Sequence, residues 1–198
     1  MNGLEEDMTT LSKKKAAFRT TRRGELKLAN SAMGGDVVRG IVEALTNADD
    51  SYSRLAASNN VRNGQILIEI DRTPKKRSFT VRDRAEGMIY EEMDVKLREK
   101  GLSSSGFDAG ENVRGNLGFG LKDLVGLGSF QFESIKDDKY SCFAVTEFAE
   151  DDEDKIVKNR PATKADRDRL NVRKNGSSVT VFLKTGVKLP NKKTLLEK

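Results

Sequence analysis

Between Val37 and Ala48 the apolar residues Val37, Val38, Ile41, Leu45 and Ala48 recur at three- and four-residue spacing. A strand repeats every two residues and cannot satisfy that pattern, so the stretch reads as one amphipathic helix. Gly34-Gly35 breaks the chain before it and Asp36 is placed to cap it. Along the same helix Glu43, Asn47 and Asp50 stand at i, i+4 and i+7. They stack as a second row, expected on the face opposite the apolar stripe. The amide oxygen of such a row can ligate a hard cation such as magnesium. A carboxylate one turn away can take a proton from water. The bland alternative is a solvated helix face, and only the rest of the chain distinguishes the two.

Several chemistries are closed by composition. The chain of 198 residues has no histidine, which excludes imidazole catalysis and His-ligated zinc. Its one cysteine, Cys142, sits in an alternating apolar stretch and reads as a buried reduced thiol, so a reducing cytoplasm is expected. No apolar run approaches the ~20 residues that cross a bilayer, and no membrane role is expected. The length suits one domain of ordinary size. Net charge is +5 but unevenly placed. Lys13 to Arg23 is basic without an acid, and Glu150 to Asp154 is wholly acidic. Each run reads first as solvated surface. A basic arm can touch nucleic acid, but no aromatic or glycine pattern supports that role here.

The remaining elements follow from period and punctuation. Thr21 to Ala32 predicts a helix within a basic N-terminal arm of residues 1–34. Gln65 to Ile70 and Ser78 to Arg82 alternate as strands joined by a loop at Pro74. Tyr90 to Lys100 predicts a short helix, and another begins at Gly120. Ser129 to Ile135 and Tyr140 to Glu147 form a hairpin across Asp137-Asp138. A polar stretch follows, with a short helix near Pro161 to Leu170. Ser178 to Leu183 is a last strand, after a turn at Asn175-Gly176. Strands that arrive as hairpins with helices between them favour an α+β architecture, helices on one face of a mostly antiparallel mixed sheet. A main domain over residues 35–186 and a tail or start of a further element over 187–198 complete the division.

Three stretches carry candidate chemistry in chain order. The first is Glu43-x-x-x-Asn47-x-x-Asp50. The second is Asp83-x-x-x-Gly87-Met88, at a strand end. The third is Gly115-x-x-Gly118-x-Gly120, which opens a helix and offers backbone N–H groups to phosphate. The glycine pattern has neither P-loop nor dinucleotide-fold spacing. Eight of the seventeen glycines fall between Gly101 and Gly128. That density marks backbone that must bend or approach something closely.

Together with Asn175-Gly176-Ser177-Ser178-Val179, which looks like a Gly-Thr-x-Val segment, these stretches resemble the Bergerat-fold ATPases. That family includes gyrase, the ninety-kilodalton heat-shock chaperones, MutL-type and MORC proteins and histidine-kinase ATP-binding domains. The resemblance covers roughly Asp36 to Leu183 and implies a two-layer sandwich that binds ATP and Mg2+. It implies Glu43 as general base toward water and Asn47 as the magnesium ligand. It implies Asp83 as acceptor for the adenine amino group, with Ser177 supporting a shared water. Gly87 lets the base approach the backbone, Met88 packs on it, and Asp50 shapes that side. Gly115, Gly118, Gly120 and Leu121 belong to the phosphate turn. Lys122 is either a further phosphate contact or a surface lysine. Residues 101–117 become a lid over the nucleotide.

Two positions depart from the family pattern. Ala85 stands where glycine is usual, which is compatible with binding if its φ is negative. Ser177 replaces threonine and keeps the hydroxyl. Glutamate at position 43 sides with the hydrolysing branch, whose members work as clamps or chaperone-like machines. In that branch an ATP-dependent homodimer, and a basic residue from a downstream domain or partner, complete the phosphate site. Slow hydrolysis, or none, is therefore expected from this chain alone. Two other readings stay open: a kinase-type or regulatory ATP switch, and an interaction module without nucleotide.

Overall fold

The computed structural model describes residues 22–59, 64–98, 120–145 and 155–191. Helix α1 spans Arg22–Met33 and helix α2 spans Val37–Asn59. Strands β1 (Leu67–Asp71) and β2 (Ser78–Arg82) precede helix α3 (Tyr90–Arg98). A single-turn helix α4 (Gly120–Asp123) runs into a 3-10 turn at Leu124–Gly126. Strands β3 (Gly128–Lys136), β4 (Lys139–Val145) and β5 (Lys155–Pro161), helix α5 (Lys164–Leu170) and strand β6 (Gly176–Leu183) follow. The segment 101–117 expected as a lid, which contains Gly115, lies outside the described residues, as do Gly118 and residues 1–21 of the basic arm.

The six strands form one sheet in the order β1-β2-β6-β3-β4-β5. Every pairing among the described strands is antiparallel, so the α+β class holds and no parallel pair of the expected mixed sheet occurs among them. Alternation sorts the side chains. Phe79, Val81, Phe130, Phe132, Phe143, Val179 and Val181 point to one face. There they meet Met33, Val37, Ile41 and Ala44 of α1 and α2, Met93 of α3 and the Leu121–Leu127 segment. Asp36 caps α2, its Oδ1 accepting from the Val38 and Arg39 N–H groups at 2.9 and 3.3 Å. Gly40 lets α2 approach the 3-10 turn: a Cβ there would lie 2.5 Å from Leu127 Cδ1.

One helix departs from the expected single helical layer. Leu170 of α5 and the nearby Val172 pack with Ile135, Tyr140 and Cys142, which alternation places on the opposite side of the sheet. The reason is the amphipathic character of that sheet face, where Ile135 and Cys142 need cover. A charged network finishes it. Arg160 grips Asp166 through two bonds of 2.6 and 2.8 Å. Arg169 donates to Asp166 at 2.9 Å and to Glu133 at 2.7 Å. Tyr140 donates to Glu133 at 2.7 Å, and its ring lies 4.1 Å from the Arg160 guanidinium carbon. Asp166 also closes a capping box with Thr163.

The Arg160 guanidinium beside Asp166 holds its carboxyl far below the usual carboxylate range. A depressed folded pKa contributes stability above the unfolded value, about 3.9, and that contribution is lost as pH falls below it. Asp166→Asn should therefore cost about 2–3 kcal/mol at neutral pH. That is less than for a fully buried pair, because both arginines reach solvent. In urea melts the gap between variant and wild type should narrow toward pH 3; a gap independent of pH would refute the charge-based account.

β5 is the strand the sequence conceals. Its residues Lys155-Ile156-Val157-Lys158-Asn159-Arg160-Pro161 carry three cations and end in proline, features of an edge strand that discourage further pairing. It occupies the sheet edge beside β4.

Candidate functional site

The row on α2 does not face away from the core. Ala44, Ala48 and Ser51 are buried, and Glu43, Asn47 and Asp50 each precede one of them, about 100° round the helix. The row thus flanks the buried stripe instead of opposing it. Asp50 is only 4% exposed, while Glu43 and Asn47 are half-buried. Asn47 Nδ2 donates to the Glu43 carbonyl at 2.7 Å. With its nitrogen so engaged, the amide presents its oxygen as the ligating atom.

Asp83 follows β2 and is 7% exposed. Its Oδ1 accepts from the Ala85 N–H at 2.9 Å and from the Ser177 N–H at 3.3 Å. Its own N–H donates to the Ser177 carbonyl at 3.0 Å. Two loops from distant parts of the chain are thereby locked to one carboxylate. The non-glycine residues with positive φ among those described are Asp137, Asp138, Asn159 and Asn171. Ala85 therefore keeps a negative φ, the condition under which alanine replaces glycine there without strain.

Gly87 has φ +67°, and a Cβ on it would lie 2.2 Å from the Ile135 carbonyl oxygen. The next residue is held by a group no motif names. Ser134 Oγ, fully buried, accepts from the Met88 N–H at 2.6 Å and lies 3.2 Å from the Gly176 carbonyl and 3.5 Å from Ser177 Oγ. Its signal is legible in the sequence: Phe130, Phe132 and Ser134 share one face of β3, so a hydroxyl interrupts an apolar stripe.

These groups converge. Asn47, Asp83, Met88, Leu121 and Ser177 line one narrow crevice with Ala44, Ala48, Ser51, Val81, Phe132 and Val179. Its open space is about 20 Å³, room for about one water. Gly87 and Met88 also line a broader groove of about 630 Å³ outside it. Glu43 and Asp50 do not line the crevice. Gly120 opens α4, and the side chain of Lys122 lies outside the described set. Among the described residues no group of three acidic, Cys or His side chains could hold a metal. No described helix is long and apolar enough to cross a membrane.

Asn47 of α2, the strand-end Asp83, Leu121 of α4 and Ser177 of β6 thus meet on one side of an antiparallel sheet. The model of the histidine kinase-, DNA gyrase B- and HSP90-like ATPase family matches residues 39–177, and the chain belongs to that family. Among solved structures it resembles the ATPase and transducer domains of DNA topoisomerase II from Balamuthia mandrillaris, with a TM-score of 0.53 and 15% identity. The match covers 74% of this chain and 37% of that one, so it bears on the fold. No curated protein matched the chain in sequence.

Proposed function

We propose that the chain binds ATP with magnesium in the crevice between α2 and the strand ends, and hydrolyses it slowly. The observation that carries this reading is the convergence of Asn47, Asp83, Met88, Leu121 and Ser177 on one cavity. Their sequence positions span more than half the chain, which chance does not bring together.

In this reading Asp83 accepts the adenine amino group and shares a water with Ser177; the water-sized crevice suits that arrangement. The crevice is narrower than a purine. Met88, unbranched and half-buried, is the side chain best able to swing aside and then pack on the base. Gly87 keeps the backbone close, and Asp50 supports the helix row from its buried position. Asn47 Oδ1 holds magnesium. A single protein oxygen fits an ion that keeps its waters and takes the rest of its shell from phosphates. Magnesium supplies charge neutralisation on the phosphates. Glu43, half-exposed one turn from Asn47, takes the proton of the attacking water. Gly115, Gly118, Gly120 and Leu121 receive the phosphates through backbone N–H groups, with Lys122 beside them.

We extend the proposal to the domain: residues 35–186 form the ATP-binding unit, 101–117 its lid, 1–34 an arm and 187–198 a tail or the start of a following element. ATP then drives two copies together, and a basic residue from a following domain or partner completes the phosphate site. A cytoplasmic clamp or chaperone-like role agrees with these parts.

One experiment separates the readings. ATP with magnesium should raise the melting temperature of the wild type, and Glu43→Gln should keep that rise while phosphate release falls at least about 100-fold. No rise in either protein points to the nucleotide-free module. Unchanged phosphate release in Glu43→Gln removes Glu43 as the base.

A further inference from the structure

On the other side of β2 lies a second cavity. Gln65, Leu67, Arg82, Asp83, Arg84 and Asn171 line a cleft of about 230 Å³ between the ends of β1 and β2 and the residue that follows α5. Arg82 alternates with Val81 and Asp83, so its side chain leaves the sheet on the face away from the nucleotide crevice. We infer that this cleft is an oxyanion-binding site for a phosphate or carboxylate group.

The hydrogen-bond inventory points that way. Arg82 pairs through Nη1 with Glu69, but its buried Nε has no partner. Arg84 spends Nε and Nη2 on the Asn171 carbonyl and Oδ1, at 2.9 and 3.0 Å. That leaves Arg82 Nη2, Arg84 Nη1 and the side-chain nitrogens Nε2 of Gln65 and Nδ2 of Asn171 without a described bond. The Asn171 side-chain oxygen, the natural acceptor in the cleft, is already taken by Arg84. The lining therefore holds donors on two cations beside one carboxylate, Asp83, whose Oδ1 is already bonded to the Ala85 and Ser177 N–H groups. The nearby carboxylate of Glu69 is more than half exposed, so solvent screens it. Two guanidinium forks with unmade bonds match the oxygens of a phosphate or carboxylate. Arg82 is half-buried, and the bonds an oxyanion in the cleft can reach are those of Arg82 Nη2 and Arg84 Nη1.

The cleft is also wired to the first site. Tyr52, two residues beyond Asp50 on α2, donates through its hydroxyl to the Gln65 carbonyl at 2.8 Å. The same oxygen accepts from the N–H groups of Gln65 and Arg84, at 3.2 and 2.9 Å. Asp83 lines both cavities. A bound oxyanion thus touches a wall fixed to the helix that carries Asn47.

The test is thermal melting of the full chain with inorganic phosphate and, separately, with acetate, at constant ionic strength and without nucleotide. Phosphate at roughly ten times its dissociation constant should raise the wild-type midpoint by about 3–5 °C, saturably. The rise should vanish in Arg82→Gln/Arg84→Gln and in Gln65→Glu. The second variant sets a carboxylate on the exposed wall without altering either arginine. It should persist in Asn47→Ala. A matching rise with acetate assigns a carboxylate ligand, and phosphate alone a phosphoryl one. Absence of a saturable wild-type rise with either anion overturns the inference. So does a rise that survives Gln65→Glu but is lost in Asn47→Ala, which places the phosphate in the nucleotide crevice. Because no arm uses ATP, failure here leaves the ATP reading standing, and the converse holds.

Discussion

Asp83→Asn is expected to abolish the thermal stabilisation by ATP while leaving the fold intact. The aspartate oxygen Oδ1 already accepts two backbone N–H groups, from Ala85 and Ser177. An asparagine must keep its oxygen there, because its amino group cannot accept those bonds. The NH2 group is then turned to where the second carboxylate oxygen stood. In the proposed reading adenine presents a donor at that point, so donor would face donor. Leaving both unsatisfied costs about 2–3 kcal/mol, a roughly 30- to 150-fold loss of affinity. Calorimetric titration with ATP and magnesium measures it directly, with circular dichroism as the control for folding. Affinity within a factor of three of wild type would remove Asp83 from base recognition.

The larger structural effect is expected at Gly87. Its φ of +67° alone costs an L-residue about 1–2 kcal/mol. The added Cβ would meet the Ile135 carbonyl oxygen at 2.2 Å and the Gly176 nitrogen at 3.2 Å. Both obstacles are backbone, so no rotamer change relieves them. Gly87→Ala should lower unfolding stability by about 3–5 kcal/mol. The loop must also move away from β3, which breaks the Met88–Ser134 bond and opens the crevice. Urea denaturation of the variant checks the first effect and ATP titration the second. A variant that melts like wild type would show that the loop adapts without loss.

Most of the fold can be read from the chain because its strongest signals are local. The 37–48 stripe, the Asp36 cap and the alternation of Ser78 to Arg82 need no tertiary context, and each forms the element its pattern predicts. The hairpin across Asp137-Asp138 is equally local: both residues take positive φ, as a tight two-residue turn requires. β5 is illegible because edge strands are charged for reasons of solubility and look like loops. The row on α2 is read correctly as a row but set on the wrong side of the helix. A 100° step separates flank from back, and an apolar stripe of uncertain width does not fix that angle. Ser134 is hidden for a different reason. Its role depends on two loops that meet it from 46 and 42 residues away, and no spacing rule predicts such a meeting.

The strand order has a consequence for how the molecule comes into being. β6, the last of the described strands to be made, occupies the middle of the sheet between β2 and β3. Until it emerges from the ribosome, the N-terminal hairpin and the later strands have no hydrogen-bonded connection to one another. Phe79 and Val81 wait on an open edge meanwhile, ready to pair with another chain. A nascent polypeptide stopped before Gly176 would hold two half-sheets with sticky margins, so the segment Gly176–Leu183 works as the keystone of assembly.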